Sequence, residues 1–229
     1  TLKRRLASNV VPQEEDDDGD SDDTGTSGRI MKVELFNFMC HEHLVFEPNR
    51  INVITGPNGS GKSSLLQGLV IGLGGNAKTS SRMCKLSDFI QSNRNSARIA
   101  VTLSNRGEYA HRADLFGDRV TFERTIYFKN TKLALKNGKG QTVYEGKAAT
   151  EESVRILDAF YIEIDNPIVI LQQEYAKQLY KRTDESGFYD FFNRCTLLSA
   201  CLNEYTKAKT QLQMTKDEIS AIRERIEKG

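Results

Sequence analysis

The sequence predicts an α/β fold, a mixed sheet around a phosphate-loop (P-loop) helix, running into a coiled-coil helix. Three observations carry this. A short apolar run, Ile51–Thr55, leads into the glycine-rich stretch Gly56-Pro57-Asn58-Gly59-Ser60-Gly61-Lys62-Ser63, and a helix-forming run from Lys62 to about Leu73 follows. Alternating segments rich in β formers flank that unit on both sides. From Leu198 onward, apolar residues recur at spacings of three and four: Leu198, Cys201, Tyr205, Ala208, Leu212, Ile219, Ile222 and Ile226, with Thr215 the one polar member.

The elements follow in order. Residues 1–28 hold eight acids and three bases and read as a disordered acidic tail. Removing that tail turns the net charge of +1 over 229 residues into +6 for the body, which permits an anionic partner. Arg29–Phe38 alternates as a first strand. Pro48-Asn49 marks a turn before the Ile51–Thr55 strand, and Gly74-Gly75 ends the helix after the glycine loop. Ala97–Leu103, Val120–Phe128 and Lys132–Leu135 read as strands, with Asn137-Gly138 as a hairpin turn. Thr150 is the expected N-cap of a helix reaching about Phe160, and Tyr161–Ile164 and Ile168–Leu171 are apolar pieces split by Asn166-Pro167. The division that results is a tail (1–28), a lobe (29–187), and a neck with the start of an arm (188–229). The seam is read as a coiled coil rather than as an amphipathic helix lying on its own domain, because its 3.5-residue period persists and its flanks are polar.

Several classes are excluded or disfavoured. No apolar stretch approaches the ~20 residues of a membrane span. No basic-then-apolar leader opens the chain, so nothing points to secretion, and opening on Thr1 rather than Met, it reads as a fragment. The four cysteines form no Cys-x-x-Cys pair. Cys40-His41-Glu42-His43 resembles a metal cluster, but no second Cys/His pair completes a tetrahedral set.

The glycine stretch matches G-x-x-x-x-G-K-[ST]. Glycines let backbone N–H groups wrap a phosphate, and the following helix N-terminus adds partial positive charge. Lys62 is expected to reach the β- and γ-phosphates of ATP and the Ser63 hydroxyl to ligate Mg²⁺, with Gly56, Pro57, Asn58, Gly59, Ser60, Gly61 and Ser64 completing the cradle. No Asn-Lys-x-Asp base-reading element is present. Tyr161–Asp165 resembles the apolar run before an acidic Mg²⁺ ligand, but Glu163 interrupts it and Asn166-Pro167 follows where a catalytic Glu is wanted. On its residues alone, the nucleotide site is half built.

Residues from about 28 to the end resemble the N-terminal head segment of the structural maintenance of chromosomes (SMC) family. That family splits an ABC-type ATPase head between the two ends of its chain. Asn37-Phe38-Met39-Cys40-His41, the P-loop, and Asp165-Asn166-Pro167 followed by Val169–Glu174 are similar to the subfamily of the SMC five–six DNA-repair complex. The resemblance implies that Gln173 is the Q-loop glutamine, touching Mg²⁺ and water, and that Arg82, in Thr79-Ser80-Ser81-Arg82, sits near nucleotide or DNA. It also implies the partners: this protein's own C-terminal head half, an SMC-five head and arm, a kleisin at the neck (Phe191, Leu197 and Leu202) and DNA. The implied location is nucleus and chromosome, with no membrane role. Lys78, Arg82, Lys85, Arg94 and Arg98 either contact DNA phosphates or form a solvated basic face. Without Walker B, signature motif and catalytic Glu, the chain is expected not to hydrolyse ATP efficiently alone. The alternatives are the head of another coiled-coil repair ATPase, of the break-repair nuclease or RecN-like kind, or a docking module without catalysis.

Overall fold

The computed structural model describes residues 26–75, 85–166, 168–171, 173, 176–177 and 185–227. Six strands form one sheet: β1 (Ile30–Phe38), β2 (His41–Phe46), β3 (Ser96–Ser104), β4 (Arg119–Tyr127), β5 (Thr131–Lys136) and β6 (Thr142–Glu145). Their order is β2-β1-β3-β4-β5-β6, with every pairing antiparallel. Alternation in the strands sends Val33, Leu35, Ile99, Val101, Phe122 and Leu135 to one buried face. Two helices cover that face, α1 (Lys62–Gly72) over β1 and β3 and α3 (Gly146–Ala159) over β5 and β6; the short α2 (Ala113–Phe116) lies between β3 and β4.

α1 descends onto the sheet through Gly68 and Gly72, one turn apart. A Cβ at Gly68 would stand 2.5 Å from Leu35 Cδ2, and one at Gly72 would stand 2.8 Å from Cγ2 of both Ile99 and Val101. The missing side chains are what let the helix come close enough to bring its N-terminus to the β1–β2 turn.

The connection between β3 and β4 is tied to α3 by a buried carboxylate. Glu152, 3% exposed, accepts from His111 Nε2 at 2.8 Å, Arg155 Nη1 at 3.0 Å and Arg112 Nη1 at 3.4 Å. Asn105 braces His111 from behind: its Oδ1 accepts the His111 N–H at 2.7 Å, and its Nδ2 donates to the His111 carbonyl at 3.0 Å.

One inward position breaks the apolar pattern. Arg124 pairs with Ile99 on one side and Leu133 on the other, in the same row as Leu35. Its Nε is buried without a hydrogen-bond partner among the described residues, and burial pushes its guanidinium pKa down. It lines a cavity of about 580 Å³ bounded by Gly75, Asp158, Glu163, Asp165 and Leu197. A desolvated cation contributes little to folding, so Arg124→Met is expected to be neutral or to raise stability by up to about 2 kcal/mol in urea unfolding.

At five places the structure corrects or adds to the sequence reading. Ile51–Thr55 forms no strand: Ile51 and Val53 are 87% and 84% exposed, and no ladder pairs them among the described residues. β2 was not anticipated. The β5–β6 turn spans five residues, with Gly140 rather than Gly138 taking the left-handed conformation at φ +78°. Thr150 is not an N-cap; α3 starts at Gly146, and the Thr150 hydroxyl donates back to the Gly146 carbonyl. Tyr161–Ile164 and Ile168–Leu171 form turns organised by Asn166, whose Oδ1 accepts the Ile168 N–H and whose Nδ2 donates to the Cys195 carbonyl.

Two helices follow, α4 (Glu185–Cys195) and α5 (Leu198–Glu227), where one continuous helix from about Phe188 is expected; the break falls where Leu197 takes φ +59°. The boundary drawn at 187/188 therefore falls inside α4. α5 is unbroken, and its seam residues Leu198, Tyr205, Leu212, Ile219 and Ile222 are all exposed, so this helix does not lie on its own domain.

Candidate functional site

The P-loop joins the exposed 51–55 segment to α1. Gly61 is the N-cap of α1 at φ +95°, a conformation open to glycine at no steric cost, and no side chain caps the first turn. That turn carries no acidic residue. A helix N-terminus left in this state favours an anion.

Lys62 folds back over the loop, its Nζ donating to the Gly56 carbonyl at 2.6 Å and the Pro57 carbonyl at 2.9 Å. The Ser60 N–H donates to the Pro57 carbonyl at 3.2 Å, which closes the loop on itself. Gly56, Pro57, Asn58, Gly59 and Ser63 are exposed along the loop, while Ser64 is buried beneath it. The structure thus gathers Gly56 through Ser64 into one cradle with a cation at its centre.

The other expected site residues are placed differently. Gln173 is exposed and makes no hydrogen bond to the loop among the described residues. Arg82, with Lys78, lies outside the described residues. Asp165 lines the cavity at the C-terminal end of α1, an 11-residue helix about 16 Å long, so it stands at the wrong end for a Mg²⁺ ligand. Two of the basic residues have internal partners: Arg94 pairs with Glu42 at 2.8 Å, and Arg98 pairs with Glu123 at 3.3 Å and stacks over Phe36 at 3.9 Å.

Sequence reasoning missed the floor of the site. Cys40 and His41, read above as metal-ligand types and as part of the family motif but given no role at the loop, end the β1–β2 turn and open β2 directly under the P-loop. His41 is 6% exposed, with Nε2 3.3 Å from the Gly61 carbonyl. Cys40 Sγ lies 3.6 Å from Ser64 Oγ. No spacing rule in the sequence links residues 40–41 to residues 61–64; the sheet does.

A family described as AAA domain matches residues 32–228. The chain belongs to the AAA domain family. Among curated relatives, this AAA domain is 36% identical over 222 residues to human Structural maintenance of chromosomes protein 6, covering 92% of this chain and 20% of that protein. It is 35% identical over 193 residues to the Schizosaccharomyces pombe protein of the same name, covering 83% of this chain and 17% of the relative. The chain thus spans about a fifth of the length of the curated relatives it matches, and the matched region is the N-terminal head segment. A structure solved for work on ATP-driven dimerization and DNA-stimulated activation of SMC ATPases superposes with a TM-score of 0.57 at 22% identity, covering 72% of this AAA domain and 98% of that chain. The fold is therefore that of an SMC ATPase head lobe, as the sequence resemblance implied.

Proposed function

We propose that this chain is the ATP-binding half of an SMC head in a chromosome-associated DNA-repair complex. The observation that carries this reading is the coexistence of a formed P-loop with an entry segment that joins no ladder among the described residues. Gly56–Ser64 is organised around Lys62, yet Ile51 and Val53 just before it are left in water. Exposed β-forming residues at a phosphate loop call for a neighbouring strand, and the protein's own C-terminal head half is the piece that would supply it.

In this reading Lys62 neutralises the β- and γ-phosphates of ATP, and the amides of residues 59–63 wrap them. The exposed Ser63 hydroxyl and the Gln173 amide oxygen are hard oxygen donors of the kind Mg²⁺ takes, and would hold it. When bound, the ion would supply charge neutralisation on the phosphates. Arg82 belongs near nucleotide or DNA. Closure over the γ-phosphate belongs to the SMC-five head, and the arms then follow the heads in trapping or releasing DNA in the nucleus. Residues 1–28 are the tail, 29–187 the lobe and 188–229 the neck. Exposed Leu197 and Leu202 on that neck are surfaces for the returning arm or a kleisin subunit.

The test is turnover. This chain alone should bind ATP in the presence of Mg²⁺ but release phosphate at background rate. Adding the C-terminal head half and the SMC-five head should start hydrolysis. Turnover by this polypeptide alone, abolished by Lys62→Ala, would overturn the half-site reading.

A further inference from the structure

We infer that His41 is a positioning residue for the P-loop: through the Gly61 carbonyl it aims the Lys62 backbone N–H at the bound phosphate. The inference rests on the nucleotide reading above and assigns a role to a residue of the β1–β2 turn.

The argument begins with the Gly61 carbonyl oxygen. It accepts from the Ser64 N–H at 3.0 Å, the Leu65 N–H at 3.2 Å and His41 Nε2 at 3.3 Å. A carbonyl oxygen only accepts, so His41 must carry its proton on Nε2. The Gly61–Lys62 peptide is planar and trans, so its C=O and N–H point in opposite directions. Holding the oxygen down toward α1 and His41 therefore turns the Lys62 N–H up into the mouth of the loop. The first two bonds belong to the helix and would form in any helical turn. The third comes from another part of the chain and sets how the turn sits against the sheet.

The packing is equally specific. A Cβ at residue 61 would stand 2.2 Å from His41 Nε2, 2.4 Å from Cε1 and 2.8 Å from Cys40 Sγ. The last glycine of the motif is required here for contact with His41 as well as for its backbone angle. His41 is itself held rigidly. It pairs with Phe38 across the turn, Met39 takes φ +52°, and the Met39 N–H donates to the Phe89 carbonyl at 2.8 Å. The brace therefore runs from the sheet, through an immobilised imidazole, to one peptide of the phosphate loop.

The experiment titrates Mg²⁺-ATP into this chain and into His41→Ala, His41→Leu, His41→Gln and Lys62→Ala, with melting temperature recorded for each. A lost positioning hydrogen bond should weaken ATP binding about tenfold in His41→Ala. His41→Leu keeps the bulk but not the donor and should bind as weakly as alanine. His41→Gln offers an amide N–H at similar reach and should recover binding to within about threefold of the parent. If leucine binds ATP as the parent does, His41 only fills space and the inference fails. Should His41→Ala not fold, the leucine–glutamine comparison decides alone. If Lys62→Ala abolishes binding while every His41 variant binds normally, the His41 role falls and the nucleotide site stands. If Lys62→Ala binds ATP unchanged, the nucleotide reading itself is wrong.

Discussion

Replacing Glu152 by alanine is expected to lower folding stability by about 3 kcal/mol, since removing one member of a buried ion network leaves its partners uncompensated. Glu152 is 3% exposed and gathers three donors, while Arg112 and Arg155 keep much of their contact with water. The loss should therefore sit at the low end of the range for such networks. At roughly 2–4 °C per kcal/mol for a domain of this size, the melting temperature should fall by about 6–12 °C. Glu152→Gln keeps an acceptor for His111 and should lose less. The same network sets a pH dependence. Burial pushes the Glu152 carboxyl up, but the hydrogen bonds from His111, Arg155 and Arg112 outweigh it, and the net pKa lies below the ordinary 4.5. The unfolded chain then binds the proton more readily than the folded one. The contribution of Glu152 is present above pH 4.5 and is lost as pH falls through its depressed folded value. Urea midpoints measured from pH 6 downward should show the parent losing its advantage over Glu152→Gln in that acid window.

Lys62→Ala should have the opposite profile, with little change in stability and a large change in ligand binding. Lys62 is held in the free protein by two carbonyls of an exposed loop, and substitution there should move stability by less than about 0.5 kcal/mol. In the proposed complex with ATP, the same ammonium would face phosphate charge. Charge-assisted hydrogen bonds of this kind are worth about 1.5–3 kcal/mol, so affinity for Mg²⁺-ATP should fall roughly 10- to 150-fold by titration calorimetry. An unchanged melting temperature beside that loss would separate a binding defect from a folding defect.

The part of this architecture legible in the sequence is the part whose signal is local. β1, β3, β4, β5 and α1 each carry their own alternation or helical run, and the P-loop carries its chemistry in eight consecutive residues. What escaped depends on distant contacts. His41–Phe46 alternates, but its imidazoles and carboxylate drew attention as ligands, and only pairing with β1 makes it a strand. Ile51–Thr55 has strand composition with no ladder to join among the described residues, so composition alone misleads there. The break at Leu197 falls in a run without Gly or Pro, the residues that usually announce one. At the site, the cradle could be read from the chain and its floor could not. Cys40 and His41 reach Gly61 and Ser64 only because the sheet brings the β1–β2 turn under α1.

The strand order has a consequence for how the chain acquires its structure. β3, β4, β5 and β6 are consecutive in both sequence and space, a meander whose pairings close over short loops. β1 and β2 form a second local hairpin. The β1–β3 pairing that joins them must close a connection of roughly fifty residues, and this connection contains the P-loop and α1. Low-separation contacts form early and the long closure comes late. Docking of the hairpin on the meander, which seats the phosphate loop over the sheet, is thus the step expected to come late in folding. The same seam is expected to part first in a partial opening, and a nucleotide seated on the loop would hold the two halves of the sheet together.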